Sequence, residues 1–190
     1  MTILFFDTET TGLPIRENNQ FYHYSQLNNY STSRLVSLSY IITDDQNNTI
    51  KQFDKIIKPN EFIIPDEVIK IHKITNEKAH NEGVDIKIVL DEFYEDLKTV
   101  NMIVAHNIDF DKNIVLSECF RLGFDDLINE LSNKEYKCTK SMGTKFLGYN
   151  PSLRDLYVNL TNDVSKNNYH NSLFDTMICK ECFFILSTTV

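Results

Sequence analysis

Hydrophobic positions along the chain switch between two periods. Residues 2–6 (TILFF) form a continuous apolar run, which fits a strand buried on both faces. From Leu35 to Thr43 the pattern alternates, with Val36, Leu38, Tyr40 and Ile42 on one face, and a second run, Ile50 to Lys58, follows the polar turn DDQNN. Two such runs around a short turn predict an antiparallel hairpin. After Pro65 the period lengthens. Val68, Ile69, Ile71 and His72 fit a short helix, Thr75 suits the cap of another, and apolar residues at 86, 89, 90, 93 and 97 trace one face of a helix from Ile86 to Val100. Met102 to Ala105 predict a fourth strand, Phe110 to Leu122 a helix, and 135–138 a last short strand. Ser152 with Asp155 three residues on resembles a capping box for LRDLYVNL, and 171–186 read as the final helix. The order βββ, then α, β, α, β, α, is that of one α/β domain over 1–190, a mixed five-stranded sheet flanked by helices. Residues 16–33, rich in Asn, Ser and Tyr, read as a long surface loop, and loops that long are uncommon unless functional or mobile.

Set against these apolar segments are four acids and a histidine: Asp7 and Glu9 in FFDTETTGL, Asp111 in AHNIDFD, and His170 with Asp175 in YHNSLFD. An ionised carboxylate beside a core strand is costly unless its charge is compensated. Several converging carboxylates repel one another, and divalent cations are the usual remedy. Asp7 and Glu9 are i and i+2, so on an extended strand they share a face and can share an ion. His170 adds a side chain of the type whose unperturbed pKa, ~6.5, suits proton transfer at neutral pH.

Composition narrows the setting. The 190 residues, 42% hydrophobic and 24% charged, are those of a globular protein with a core of its own. The apolar run Ile3 to Phe6 is too short for a signal-peptide core or a membrane span. Cys119, Cys138, Cys179 and Cys182 form neither a paired framework nor a zinc-site spacing, which predicts reduced thiols and an intracellular setting. A net charge of −8 argues against coating the surface with nucleic acid, because neutralising phosphates needs Lys and Arg. The candidates for a local basic patch are Lys134, Lys137, Lys140, Lys145 and Arg154.

Three motifs in this order resemble the histidine branch of the DEDD-type 3′–5′ exonucleases, whose members include the proofreading epsilon subunit, RNase T and oligoribonuclease. Asp7 to Leu13 match Asp-x-Glu-Thr-Thr-Gly-Leu, His106 to Asp111 match His-Asn-x-x-Phe-Asp, and His170 to Asp175 match His-x-x-x-x-Asp. The stretch IPDEVIKIHKIT also looks like the family's His-Gly-Ile-Thr segment, and PSLRDLYVNL like the segment before its third motif. The resemblance implies a ribonuclease-H-like domain that releases nucleoside 5′-monophosphates from the 3′ end of single-stranded or frayed DNA or RNA. It implies two divalent ions, Mg²⁺ or Mn²⁺, on Asp7, Glu9, Asp111 and Asp175, with His170 as general base. It further implies substrate contacts from Thr10 near the terminal hydroxyl, Leu13 as a wedge between the last two bases, His72, and an edge of Phe110. A polymerase or another processivity partner is consistent with the family, and no membrane is implied. The chain departs from the pattern twice. Lys73 replaces the usual glycine of His-Gly-Ile-Thr, and the 16–33 loop is longer than compact members carry. The sister branch would place Tyr at position 171, which here is Asn171.

Each residue also has a plainer role. Asp109 suits a helix cap or a solvated neighbour, His106 and Asn107 suit bracing of a turn, and His23 and His80 suit the surface. Leu13 and Phe110 suit packing, and His72 suits a core or surface position. A second class of function, a binding or scaffolding domain tethered to a polymerase or RNA complex, predicts the loss of at least one of the five site residues. All five are present.

Overall fold

In the computed structural model of the chain, which describes residues 1–189, strand β1 (Ile3–Thr10) is followed by two short strands, β2 (Arg16–Glu17) and β3 (Gln20–Phe21). Val190, the last position of the expected domain, lies outside the described residues. The expected hairpin is β4 (Leu35–Thr43) and β5 (Thr49–Ile56), followed by helices α1 (Asp66–His72), α2 (Asn76–Glu82) and α3 (Ile86–Leu97). Then come β6 (Met102–Ala105), α4 (Ile108–Leu122), α5 (Asp125–Ser132), β7 (Glu135–Cys138), α6 (Thr139–Leu147), α7 (Leu153–Thr161) and α8 (Ser172–Thr189). The main sheet is mixed and five-stranded, in the order β5-β4-β1-β6-β7. Its central strand β1 runs antiparallel to β4 and parallel to β6.

Alternate residues of β1 serve opposite layers, as the period of a strand requires. Leu4 and Phe6 join the core beneath α3 and α4, with Leu90, Phe93 and Ile114, whereas Ile3 and Phe5 meet Cys179 and Phe183 of α8. The Phe5 and Phe183 rings sit edge to face with centroids 5.4 Å apart. The alternation in β4 predicted one apolar face, yet all nine of its residues are buried. Its second face, with Ser37 and Ser39, is small enough for α8 to close upon it. The Ser172 hydroxyl stands 3.0 Å from that of Ser37 and 2.7 Å from that of Ser39.

The predicted caps are present. Thr75 accepts from the backbone N–H of Lys78, and Ser152 accepts from the N–H of Asp155 while donating to its carboxylate. The 16–33 segment is more ordered than a surface loop. β2 and β3 form a hairpin whose two-residue turn, Asn18 and Asn19, has φ of 50° and 63°, the left-handed region that such a turn demands and asparagine tolerates. A short 3₁₀ turn, Leu27–Tyr30, follows. Tyr30 is fully buried and its hydroxyl donates to the Tyr22 carbonyl, so one aromatic anchors a polar stretch.

A buried ion cluster ties this segment to the helices. Glu118 of α4 is 1% exposed and pairs with Arg34 (2.7 Å) and Arg121 (3.2 Å). The Arg34 backbone also binds Thr11, just past the end of β1: its carbonyl accepts from the Thr11 N–H and its N–H donates to the Thr11 hydroxyl. Removing one partner of a buried pair leaves the other charge uncompensated, at a cost of ~3–5 kcal/mol. Glu118→Ala is therefore expected to lose about that much in urea unfolding and to melt roughly 10 °C lower. A change within experimental error would show that solvent already screens the cluster.

Candidate active site

β1 outruns its parallel neighbour. Pairing with β6 ends at Phe5 and Val104, so the N–H of Thr8 has no strand partner on that side. Asp111 fills the gap: its Oδ1 accepts from the Thr8 N–H (3.0 Å) and from the Thr8 hydroxyl (2.7 Å). Asn107, at φ 70°, turns the chain from β6 into α4 and thereby places Asp111 in the helix's first turn, 2% exposed.

The other acids come from β1 and α8. Asp7 and Glu9 pair across the strands with Ser39 and Ser37, the residues on which Ser172 seats the start of α8. That seat brings Asp175 over the strand. Oxygens of Asp7, Glu9 and Asp175 all lie within 4.8 Å of one another. One Asp175 oxygen accepts from the His170 N–H (2.9 Å), and the other is buried with no hydrogen-bond partner among the described residues. Asn171 caps α8 by accepting from the N–H of Phe174, and His170 just before it has φ 67°.

The four acids resist ionisation. Burial, reinforced by the charges of Asp111, Asp175 and Glu9, holds Asp7 well above the usual carboxylate range. Burial, then Asp175 and Asp111, pushes Glu9 up to about 8. Burial lifts Asp111 to about 7 against the lowering effect of its Thr8 hydrogen bonds, and lifts Asp175 to about 6 against that of the His170 N–H. A desolvated all-oxygen donor set with an orphaned inward oxygen fits hard divalent cations, which take carboxylate ligands and offset their repulsion.

Two clefts meet beside these acids. One, of about 300 Å³, is lined by Glu9, His72, Lys73 and His170 among others. The second, of about 430 Å³, is lined by Arg154, Tyr169, His170 and Asp175. His170 is exposed and lines both. His72 is buried, which pushes its pKa down; its Nδ1 accepts from the Ile74 N–H and its Nε2 has no partner among the described residues. Lys73 caps α1 in the left-handed conformation, at φ 63°, a position that suits the glycine it replaces.

Of the other expected contacts, Leu13 is 65% exposed. The Thr10 hydroxyl is turned inward, donating to the Gly12 carbonyl. Phe110 packs on the core and near Phe21, with ring centroids 6.5 Å apart. His106 braces the turn through the Thr139 hydroxyl, 3.1 Å away, and burial and then Lys140 push its pKa down to about 4. Asp109 is exposed, and all four cysteines are free thiols. The basic patch is thinner than its sequence suggests. Lys134 is held by Glu130 and the Val100 carbonyl, and Lys137 pairs with Glu135. Sequence reasoning missed Thr8, which holds Asp111, and the serines that seat α8. The available signal was Ser37 and Ser39, polar at a period of two within an apolar strand.

The family model for exonucleases of the RNase T type matches residues 4–183, nearly the whole chain. The chain belongs to this exonuclease family. The DEDD-type reading of its three motifs is thereby borne out, and the five-stranded sheet is the expected ribonuclease-H-like fold. No curated protein matches this exonuclease chain in sequence. Among solved structures it is similar to exonuclease X in complex with 5′-overhanging duplex DNA, at 18% identity and a TM-score of 0.66, covering 98% of this chain and 92% of that one. It is also similar to the zinc-bound form of the E. coli exonuclease I–single-stranded DNA complex, at 18% identity and a TM-score of 0.72, covering 99% of this chain and 40% of that one. A third, S. pombe Pop2p with Mg²⁺ and Mn²⁺ bound, has 17% identity and a TM-score of 0.70, covering 96% and 81%. The exonuclease chain thus spans about two fifths of exonuclease I and nearly all of exonuclease X. At these identities the likeness is one of fold. No helix among the described residues is long and apolar enough to cross a membrane.

Proposed function

We propose that the chain removes nucleoside 5′-monophosphates one at a time from the 3′ end of single-stranded or frayed nucleic acid. Asp7, Glu9, Asp111 and Asp175 would hold two divalent cations, Mg²⁺ or Mn²⁺, and His170 would be the general base. The observation that carries this reading is the convergence of Asp7, Glu9 and Asp175 within 4.8 Å, desolvated, with one Asp175 oxygen left unpartnered. The metal-bound and DNA-bound states of its structural neighbours support it. Paired divalent ions at such a site, when bound, stabilise charge on both the attacking and the leaving oxygens of a phosphodiester.

The chain's own residues have distinct tasks. Thr8 fixes one oxygen of Asp111, and the His170 N–H fixes one of Asp175, so each keeps a second oxygen for a cation. His170 takes the proton of the attacking water as its oxygen bonds to phosphorus. The bond from phosphorus to the 3′ oxygen of the preceding nucleotide then breaks, and that oxygen takes up a proton from solvent, leaving a new 3′-hydroxyl and a free 5′-monophosphate. Leu13, exposed on the surface, would part the last two bases, and His72 and Lys73 line the cleft beside Glu9. With a net charge of −8, the chain neutralises few phosphates at once. It is therefore expected to act distributively unless a polymerase or other partner holds it on the strand.

Matched single strands of DNA and RNA, labelled at either end, test the reading. With Mg²⁺ or Mn²⁺ the 3′ label should leave first as mononucleotide, and a 3′-phosphate should block the reaction. Hydrolysis in excess EDTA, or rapid cutting of a circular single strand, would refute it.

A further inference from the structure

The hairpin between β1 and β4 has no part in the reading above. It lies across the N-terminal turn of α4, and a groove of about 400 Å³ separates the two. Arg16, Asn19, Gln20 and Phe21 line the groove from the hairpin, and Asn107 and Asn113 from the helix side. The Arg16 guanidinium lies over the Phe21 ring, 5.2 Å from its centroid, and pairs with no carboxylate among the described residues. Phe21 in turn meets Phe110, the residue immediately before Asp111. The groove thus lies against the same helical turn that carries Asp111.

The connection that leads into the hairpin is fastened to the segment that follows it. The Leu13 carbonyl accepts from the Thr32 hydroxyl (3.0 Å), and the Ile15 N–H donates to the Asn29 carbonyl (2.9 Å). Leu13 and Ile15 stand 65% and 52% exposed on the same short connection between β1 and β2. A strand whose terminal nucleotide lies at Leu13 thus has a ready-made surface beside it.

We propose that this groove is a second subsite, which binds bases of the single strand upstream of the 3′-terminal nucleotide. The proposal rests on the exonuclease reading and extends it to a part of the chain that reading leaves idle. An arginine stacked on an aromatic ring offers both a cation and a π-face to a base. The amides of Asn19, Gln20, Asn107 and Asn113 carry donors and acceptors suited to base edges. Asp109 is the one carboxylate lining the groove and disfavours phosphate there, so the bases enter and the backbone stays outside. The net charge of −8 points the same way. A chain that neutralises few phosphates needs an affinity that does not depend on them, and base stacking provides one.

The test compares the wild type with Arg16→Ala/Phe21→Ala, and with Arg16→Glu alone, which leaves the Phe21–Phe110 packing in place. Each protein is given a dinucleotide and a single strand of about a dozen nucleotides in the same Mg²⁺ buffer. The wild type should prefer the longer strand through KM. Both variants should lose about tenfold of that preference, as expected for one stacked base. At high salt, where the reversed charge of Arg16→Glu no longer repels phosphates, most of the loss should remain in both variants. A preference unchanged in Arg16→Glu, or rates on both substrates falling in proportion, would overturn the subsite. If neither substrate is cut by any of the proteins, the exonuclease reading fails separately. Fluorescence anisotropy of the labelled longer strand then reads the groove alone: weaker binding by the variants upholds it, and equal binding overturns it.

Discussion

Replacing Asp7 by asparagine is expected to stop hydrolysis and, at the same time, to make the metal-free protein harder to melt. Asp7 stands between Glu9 on its own strand and Asp175 on α8, and it feels the charge of Asp111 from α4. Removing its charge takes away the ligand that all the others surround. It also removes a carboxylate that burial penalises most when ionised. The sign of the pH dependence follows from the raised pKa values. A carboxyl whose folded pKa lies above its unfolded value adds stability while protonated and loses it as pH rises through the folded pKa. For Glu9 that window runs from about 4.5 to about 8, and for Asp111 and Asp175 it closes near about 7 and about 6. The metal-free wild type should therefore weaken steadily from mildly acid to mildly basic pH. Mg²⁺ should restore the loss, by a margin that widens with pH. Asp7→Asn should flatten the decline. Near the basic end of the window, without metal, the variant should melt a few degrees above the wild type, as a gain of about 1 kcal/mol gives in a domain of this size. Differential scanning fluorimetry across this range, with EDTA or Mg²⁺, makes the comparison. A variant that still cleaves at the wild-type rate, or melts lower without metal at every pH, would remove the acids from the role given them here.

The acids were legible in the sequence because each departs from the pattern around it. Asp7 and Glu9 interrupt an apolar strand at a spacing of two, and Asp175 follows His170 at the distance the family fixes. The strands were legible from their continuous or alternating apolar runs, and helices α2 and α7 from their caps at Thr75 and Ser152. What escaped was set by contacts distant in sequence. The seat of α8 depends on Ser37 and Ser39 meeting Ser172, more than a hundred residues away. The Thr8 N–H becomes available to Asp111 only because β6 stops short, which no local pattern encodes. Helices α5 and α6 escaped for different reasons: α5 carried a signal, Leu127, Ile128 and Leu131 on one face, whereas α6 follows β7 directly with no side-chain cap to mark its start. The 16–33 segment had a signal that composition obscured. Asn18–Asn19 is one of several Asn pairs, and here both members take the left-handed conformation of a hairpin turn. In a stretch rich in Asn, Ser and Tyr, that pair does not stand out from its neighbours.

Substituting His170 is expected to lower kcat by about 10²–10⁴-fold, the usual contribution of a general base, while the metal-induced rise in melting temperature persists. Two features of this histidine need separating. Its N–H holds Asp175, and its backbone sits at φ 67°; its side chain is exposed and lines both clefts. Alanine tolerates the left-handed region poorly, so His170→Ala alone mixes backbone strain with loss of the imidazole. Asparagine adopts that region readily and keeps the N–H, but it cannot accept a proton at neutral pH. If His170 is the base, His170→Asn should be as slow as His170→Ala and should bind metal as the wild type does. If only the backbone matters, His170→Asn should recover most of the rate. The pH profile adds a second reading. At saturating metal the wild-type rate should fall in acid as the imidazole takes up a proton, and both variants should lose that limb. Saturation is essential, because Asp175, pushed up to about 6, would otherwise shed its cation in acid and imitate the loss of a base. Wild-type activity in His170→Asn, or an acid limb that survives in both variants at saturating metal, would move the base elsewhere in the cleft.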